Sequence, residues 1–283
     1  MRWMYLNGEL VEREGAAVSA LDRGLLYGYG LFETMRSYGG RVFRLEAHYQ
    51  RLCQGAAVLA IPVPLSLEDL KEAVDGVLRR NRVADASLRL TLTAGSAADA
   101  TAILFARPLT DYPPELYRRG MAAVVSAVRR NETSPLSGVK SLNYLENLLA
   151  REDARRRGAD EAILLNTRGF VAEGSASNVF LVQEGRLVTP SLESGVLAGI
   201  TRQAVLELAA AAGLQTVESQ VELSAFQEAS EVFLTGSVME VMPLTRLDGR
   251  PLGSGKPGPV TKRLRRLYRQ GTRGAGQYRP AGI

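Results

Sequence analysis

Strand-like alternation opens the chain. Trp3 to Leu6 and Gly8 to Val11 are short strand candidates joined at Asn7-Gly8, a pair suited to a tight hairpin turn. Phe32 to Tyr38, the turn Gly39-Gly40 and Arg41 to Arg44 predict a second hairpin. The apolar spacing then lengthens. Glu46 to Ala60 reads as a helix with Tyr49, Leu52, Cys53, Ala56 and Leu59 near one stripe, which makes Cys53 a core residue. Ser66 and Asp69 resemble a capping box, and Leu70, Val74, Val77 and Leu78 carry helical spacing to Asn81. Leu88, Leu90 and Leu92 alternate with Arg89, Thr91 and Thr93, and Thr101 to Phe105 is a compact apolar run, so two more strands complete an α+β half.

The pattern breaks at Thr110-Asp-Tyr-Pro-Pro-Glu115, because proline continues neither a helix nor a central strand. Beyond it, strands are expected at Met121 to Val128, Glu161 to Asn166, Val179 to Val182, Arg186 to Val188 and Glu231 to Leu234. Helices are expected at Leu142 to Arg157, Ile200 to Ala212 and Ser224 to Glu228. The chain therefore divides into an N-terminal α+β domain (1–112), a linker (113–119), a C-terminal domain (120–270) and a flexible basic tail (271–283).

With 283 residues, 46% hydrophobic and 23% charged, the composition is that of a globular protein, and no stretch is apolar enough to cross a bilayer. The N-terminus lacks a basic segment followed by an apolar one, which predicts a cytoplasmic protein. Cys53 is the only cysteine and His48 the only histidine, so one chain assembles neither a disulfide nor a Cys/His zinc site. A catalytic base must then come from Lys, Asp, Glu or Tyr unless His48 supplies it. The net charge of +5 is uneven: from Arg250 onward there are nine basic residues and no acid, leaving the body at −4. A solvated helix near Pro259 to Gln270 with a Gly-rich tail accounts for this better than a nucleic-acid surface.

Lys140 lies between an irregular polar stretch and a helix expected to begin near Ser141, where partial desolvation would make its amine a nucleophile and base. Gly199-Ile-Thr-Arg202 opens a helix, so the N–H groups of Gly199, Ile200 and Thr201 can face an anion, and Thr235-Gly-Ser237 is a similar candidate. Glu173-Gly-Ser-Ala-Ser-Asn178 sets an acid and an amide around a small-residue turn, where a partly buried carboxylate needs a cationic partner.

Seven motifs then occur in order. They are Arg23-Gly-Leu-Leu-Tyr-Gly-Tyr-Gly-Leu-Phe-Glu-Thr-Met-Arg36, His48-Tyr-Gln-Arg51-Leu52, Lys140-Ser-Leu-Asn143-Tyr144, Glu173-Gly-Ser-Ala-Ser-Asn178-Val-Phe, Thr189-Pro-Ser-Leu, Gly195-Val-Leu-Ala-Gly199-Ile-Thr-Arg202 and Thr235-Gly-Ser. Together they resemble the class IV aminotransferases, the fold-type IV enzymes of pyridoxal 5'-phosphate (PLP). The resemblance implies a two-domain α+β fold with a smaller N-terminal α+β domain and a larger C-terminal mixed β-barrel-like domain with helices. It also implies a homodimer, an amino-acid-like small-molecule substrate, and neither a nucleic-acid nor a membrane partner. Lys140 matches the lysine that holds PLP as a Schiff base, Glu173 the partner of the pyridine nitrogen, Arg51 the arginine on the phosphate and Tyr144 the residue near the phenolic oxygen. Leu197 matches the residue beneath the ring. Gly199, Ile200 and Thr201 match the phosphate cup with Asn178 beside it, and Ser237 and Val238 the turn beside phosphate and substrate. Tyr27, Phe32 and Arg36 match substrate-side positions. His48, three residues before Arg51, is read as structural.

Thr34 stands where the resemblance places threonine in 4-amino-4-deoxychorismate lyases, glycine in branched-chain aminotransferases and valine in D-amino acid aminotransferases. With Lys140 and Thr34 as catalytic residues, the first expectation is a lyase releasing pyruvate and 4-aminobenzoate, a folate precursor. The alternative is a transaminase of branched-chain L-amino acids, or of D-amino acids and (R)-amines, with 2-oxoglutarate. The loop Ala94 to Ala100 carries no arginine or histidine to trap a carboxylate, which speaks against the D-amino acid enzymes.

Overall fold

The computed structural model describes residues 1–273 apart from 98, 110 and 111. The described residues divide into two units, one of residues 1–109, 139–143 and 271–273, the other of residues 112–138 and 144–270.

In the first unit, β1 (Trp3–Leu6) and β2 (Glu9–Glu12) form a hairpin whose turn residues Asn7 and Gly8 both take positive φ, 47° and 100°. The short helix α1 (Arg23–Tyr27) is capped by Asp22, which accepts from the Gly24 N–H. Then come β3 (Gly30–Tyr38), β4 (Arg41–Val42), α2 (Leu45–Val58), α3 (Leu67–Asn81), β5 (Ala86–Thr93) and β6 (Thr101–Arg107). The six strands pair antiparallel in the order β2-β1-β6-β5-β3-β4. The Ser66 hydroxyl accepts the Asp69 N–H and the Asp69 carboxylate accepts the Ser66 N–H, the reciprocal box expected from sequence.

Side-chain parity divides the faces of this sheet. Leu31, Glu33 and Met35 of β3 stand opposite Leu92, Leu90 and Leu88 of β5, all buried, and share a core with α2 and α3. Phe32, Thr34 and Arg36 stand opposite Thr91, Arg89 and Ser87 on the other face. The buried stripe of α2 is Leu45, His48, Leu52, Gly55 and Ala56, so Cys53, expected in the core, is only half-buried. The stripe is turned toward His48 because the core face of β3 carries a carboxylate, Glu33, that His48 and Arg51 meet.

The second unit opens with α4 (Pro114–Arg119), where a linker over 113–119 was expected. Proline at the first helical position costs no hydrogen bond, so the pair that ends one domain pattern also starts a helix, and Leu116 and Tyr117 are buried. It continues with β7 (Met121–Arg130), α5 (Leu145–Arg156), β8 (Glu161–Asn166), β9 (Val171–Gly174), β10 (Asn178–Gln183), β11 (Arg186–Pro190) and α6 (Ile200–Ala211). β12 (Thr216–Ser219), α7 (Leu223–Glu228), β13 (Glu231–Gly236), β14 (Glu240–Leu247), β15 (Arg250–Pro251) and, as far as Gln270, α8 (Pro259–Arg273) complete it. Its nine strands run β12-β11-β10-β13-β14-β7-β8-β9, with β15 on β14, and the β11–β12, β14–β7 and β7–β8 pairs are parallel. Residues 271–273, expected in the tail, finish α8, whereas the rest of that tail, 274–283, lies outside the described residues. The basic helix is partly tied down: Arg265 and Arg269 face the Tyr117 ring at 4.1 and 5.4 Å, and Arg269 donates to buried Glu240 at 2.8 Å. Among the described residues no helix is long and apolar enough to cross a membrane.

Candidate active site

Lys140 is not at the start of a helix, which begins only at Leu145. Residues 140–142 instead run beside β3: the Phe32 N–H donates to the Lys140 carbonyl at 2.9 Å and the Leu142 N–H to the Gly30 carbonyl at 2.8 Å. These two hydrogen bonds flank the Leu31–Ser141 bridge, and this backbone pairing fixes where the lysine leaves the chain. Its Nζ lies 4.5 Å from the centre of the Phe32 ring, and the Arg89 guanidinium carbon lies 3.8 Å from the same centre. Thr34 is paired with Arg89 across the sheet, and Arg36 is the next residue on that face, 4.7 Å over the Tyr38 ring. Phe32, Thr34 and Arg36 are thus brought onto the face that Lys140 approaches. Tyr27, on α1, is 71% exposed, so its burial gives no sign of a pocket.

Arg89 carried no signal beyond its place in an alternating strand, and Arg23 none beyond its motif. Arg23 donates to the carbonyls of Ala94, Gly95 and Ala97, pinning the short loop after β5.

Arg51, expected on a phosphate, makes a bidentate pair with Glu33: Nε to Oε1 at 2.8 Å and Nη2 to Oε2 at 2.6 Å. His48 Nδ1 meets Oε2 at 2.6 Å. Burial alone would push the Glu33 carboxyl up; the Arg51 guanidinium and the His48 hydrogen bond override it and bring it down to about 2. Burial pushes His48 down, the Glu33 hydrogen bond opposes this, and the cations of Arg51 and Lys140 add to the lowering. The imidazole is therefore neutral at neutral pH, and the contact is a hydrogen bond rather than an ion pair.

In the second unit Glu173 is the third residue of β9, a strand the sequence did not suggest. Its Oε1 accepts from Arg130 at 2.5 Å and its Oε2 from the Leu197 N–H at 3.0 Å. The cationic partner expected to be a pyridine nitrogen is thus already present as Arg130, at the end of β7, which sequence reasoning missed. Carboxylate oxygens each carry two lone pairs, so both oxygens retain accepting capacity. The Leu197 carbonyl accepts from Asn178 Nδ2 at 2.8 Å, and Asn178 pairs with Thr235 across β10 and β13. A Cβ on Gly199 would collide with Asn178 Oδ1, so only glycine lets the start of α6 come this close. Glu173, Leu197, Asn178, Gly199 and the end of β13 are in this way joined by direct contacts, with Ile200 and Thr201 in the first turn of α6 and Ser237 and Val238 just past β13.

Tyr144 donates its hydroxyl to the Ser175 carbonyl at 2.8 Å, beside a second donor, Asn147 Nδ2, also at 2.8 Å. Burial, and then the charges of Glu173 and Glu161, push the phenol up, so it stays protonated. Beneath the same turn Glu161, fully buried, accepts from the Ser175 hydroxyl and N–H and from Ser177.

In the second unit these groups suit PLP: a carboxylate held at both oxygens meets the demand of a ring nitrogen, and a twelve-residue helix capped by Gly199 without a side-chain hydrogen bond meets that of a phosphate. Thr235 Oγ1, buried and without a hydrogen-bond partner among the described residues, adds an unmet polar atom one strand position from Gly236.

The comparisons with known proteins agree. A family model described as amino-transferase class IV matches residues 30–247. A Methanocaldococcus jannaschii protein, named provisionally a branched-chain-amino-acid aminotransferase, is 39% identical over 94% of this chain and 95% of its own. The Escherichia coli branched-chain amino acid aminotransferase structure superposes with a TM-score of 0.93 at 32% identity, covering 99% of this chain and 97% of that one. A T.th. branched-chain amino acid aminotransferase, solved with pyridoxamine 5'-phosphate, gives 0.91 at 33% identity, covering 96% and 94%. The fold-type IV fold and the PLP cofactor follow. These names favour the transaminase alternative over the first expectation of a lyase. Thr34 is a weak discriminator because a β-branched residue in mid-strand opposite Arg89 also answers to strand packing.

Proposed function

Because the chain belongs to the class IV aminotransferase family, we propose that it is a branched-chain L-amino acid transaminase that passes the amino group to 2-oxoglutarate. The observation that carries the choice is the near full-length likeness to enzymes of that name. The face around Phe32 supports it. An aromatic surface suits an aliphatic side chain in one half-reaction, and the guanidinium groups of Arg36 and Arg89 on the same face suit the extra carboxylate of 2-oxoglutarate in the other.

When bound, PLP supplies an electron-accepting ring and the carbon that exchanges amines. The remaining work falls to this chain. Lys140 would hold the cofactor, then use its freed Nζ to take the substrate α-proton and return it, helped by the backbone pairing that fixes its root beside Phe32. Glu173, oriented by Arg130 and Leu197, would keep the ring nitrogen protonated. The amides of Ile200 and Thr201, with Ser237 and Arg51, would hold the phosphate. Tyr144 would stand as a permanent hydroxyl near the phenolic oxygen, Leu197 beneath the ring, and Val238 beside the substrate.

A homodimer is part of the proposal. Leu21, Leu25 and Leu26 around α1 and Leu145, Leu148 and Leu149 on α5 are exposed, the kind of surface a second copy covers. Sedimentation at micromolar protein should give twice the chain mass.

The assay is purified protein with L-leucine, L-isoleucine and L-valine against 2-oxoglutarate, beside aminodeoxychorismate. Glutamate and branched 2-oxo acids are expected. Release of 4-aminobenzoate and pyruvate with no glutamate would restore the lyase and end this proposal.

A further inference from the structure

His48, the only histidine, is 2% exposed, and Glu33, whose carboxylate it meets, is 1% exposed. Glu33 occupies a core position of β3 between buried Leu31 and Met35, where an apolar side chain is the default. Relative to apolar residues of the same volume, a buried carboxylate–guanidinium pair is neutral or costly for stability. Packing alone therefore does not explain why the fold places Glu33, His48 and Arg51 together. His48 and Arg51 stand one helical turn apart on α2 and converge on the same carboxylate oxygen, both at 2.6 Å. Since an ionised carboxylate only accepts, the neutral imidazole donates from Nδ1. The pairing of Arg51 through Nε and Nη2 fixes the plane of a guanidinium that would otherwise sample many rotamers, and His48 holds the carboxylate that does the fixing.

We propose that Glu33 and His48 are positioning residues that clamp Arg51 in one orientation for the cofactor phosphate and so set the preference for the phosphorylated over the unphosphorylated cofactor. The inference rests on the reading of Arg51 as a phosphate contact. It makes a prediction opposite in sign to simple electrostatics. Glu33 is an anion next to the phosphate's arginine, so neutralising it should tighten phosphate binding if charge dominates and loosen it if orientation dominates.

The test is to strip the full-length protein of cofactor and titrate it with PLP and, separately, with pyridoxal, following the absorbance of the Lys140-bound form. The readout is the ratio of the two dissociation constants, with circular dichroism checking the fold. Loss of one hydrogen bond to a charged group predicts that His48→Leu lowers the preference for PLP about ten-fold. His48→Asn, which keeps a donor near the place of Nδ1, should recover most of it. Glu33→Gln should lower it by about ten-fold or more, and where that variant does not fold the His48 pair decides. Equal loss of PLP and pyridoxal affinity in these variants, or a tighter PLP in Glu33→Gln, would overturn the proposal. If Arg51→Met collapses the ratio while the His48 and Glu33 variants leave it unchanged, the phosphate reading of Arg51 survives and the clamp does not. If Arg51→Met leaves the ratio unchanged, both fail.

Discussion

Two buried carboxylate–arginine pairs, one in each unit, involve residues matched to cofactor positions, and in them the roles are reversed. In the first, Glu33 is the holder and Arg51 the group expected to meet the cofactor. In the second, Arg130 is the holder and Glu173 the group expected to meet it. The first pair is closed by a third residue, His48, and lies in the core between a sheet and a helix. The second is completed by a backbone N–H, that of Leu197, and its arginine is 22% exposed. One ion pair can therefore aim either partner, and burial decides how much stability depends on keeping it whole.

Four experiments break or sharpen this contrast. The largest effect belongs to the residue outside both pairs: Lys140→Ala should lower the transamination rate on the order of 1000-fold or more, read as glutamate formed, while Arg130→Lys and His48→Asn keep most of the activity. Next, stranding the carboxylate should cost more in the closed pair than in the open one. Arg51→Met should lower unfolding stability by about 4 kcal/mol and Arg130→Met by about 2 kcal/mol in urea titrations. Equal losses would erase the distinction.

Acid gives a third, comparable test. The Glu33 carboxyl titrates at 4.5 when unpaired and at about 2 in the fold, so across that window the unfolded chain binds more protons and stability falls as pH falls. The group contributes about 3 kcal/mol that is present above pH 4.5 and lost toward pH 2. His48, lowered from 6.5, adds a further loss in the same direction below that value. Glu33→Gln should flatten the slope of stability against pH between these limits. Smallest is Thr34→Gly, which should cost about 1 kcal/mol of strand stability and leave the reaction a transamination.

Much of the fold could be read in advance where a side chain acts on its own neighbours. The Ser66–Asp69 box, the Asn7-Gly8 turn and the Leu88, Leu90, Leu92 alternation are local, and each appears where expected. What was hidden depends on distant partners. β14 contains Pro243, which lowers its strand reading, yet that residue sits opposite Phe233 in the sheet interior. α1 has five residues and no apolar stripe to announce it. For the candidate site, the ordered motifs proposed the positions but not the residues that hold them. Glu33 did carry a signal, its shared parity with Leu31 and Met35, which marks a charge in a core position and so demands a cation nearby. Arg130 carried none, because only the β7–β8–β9 arrangement brings it to Glu173.

The most direct test of the central claim follows one atom. Incubating the protein with PLP, 15N-labelled L-leucine and unlabelled 2-oxoglutarate should place the label in glutamate, as measured by mass spectrometry, with 4-methyl-2-oxopentanoate formed in equal amount. Unlabelled glutamate pools and intact leucine, under conditions where aminodeoxychorismate yields 4-aminobenzoate, would contradict it.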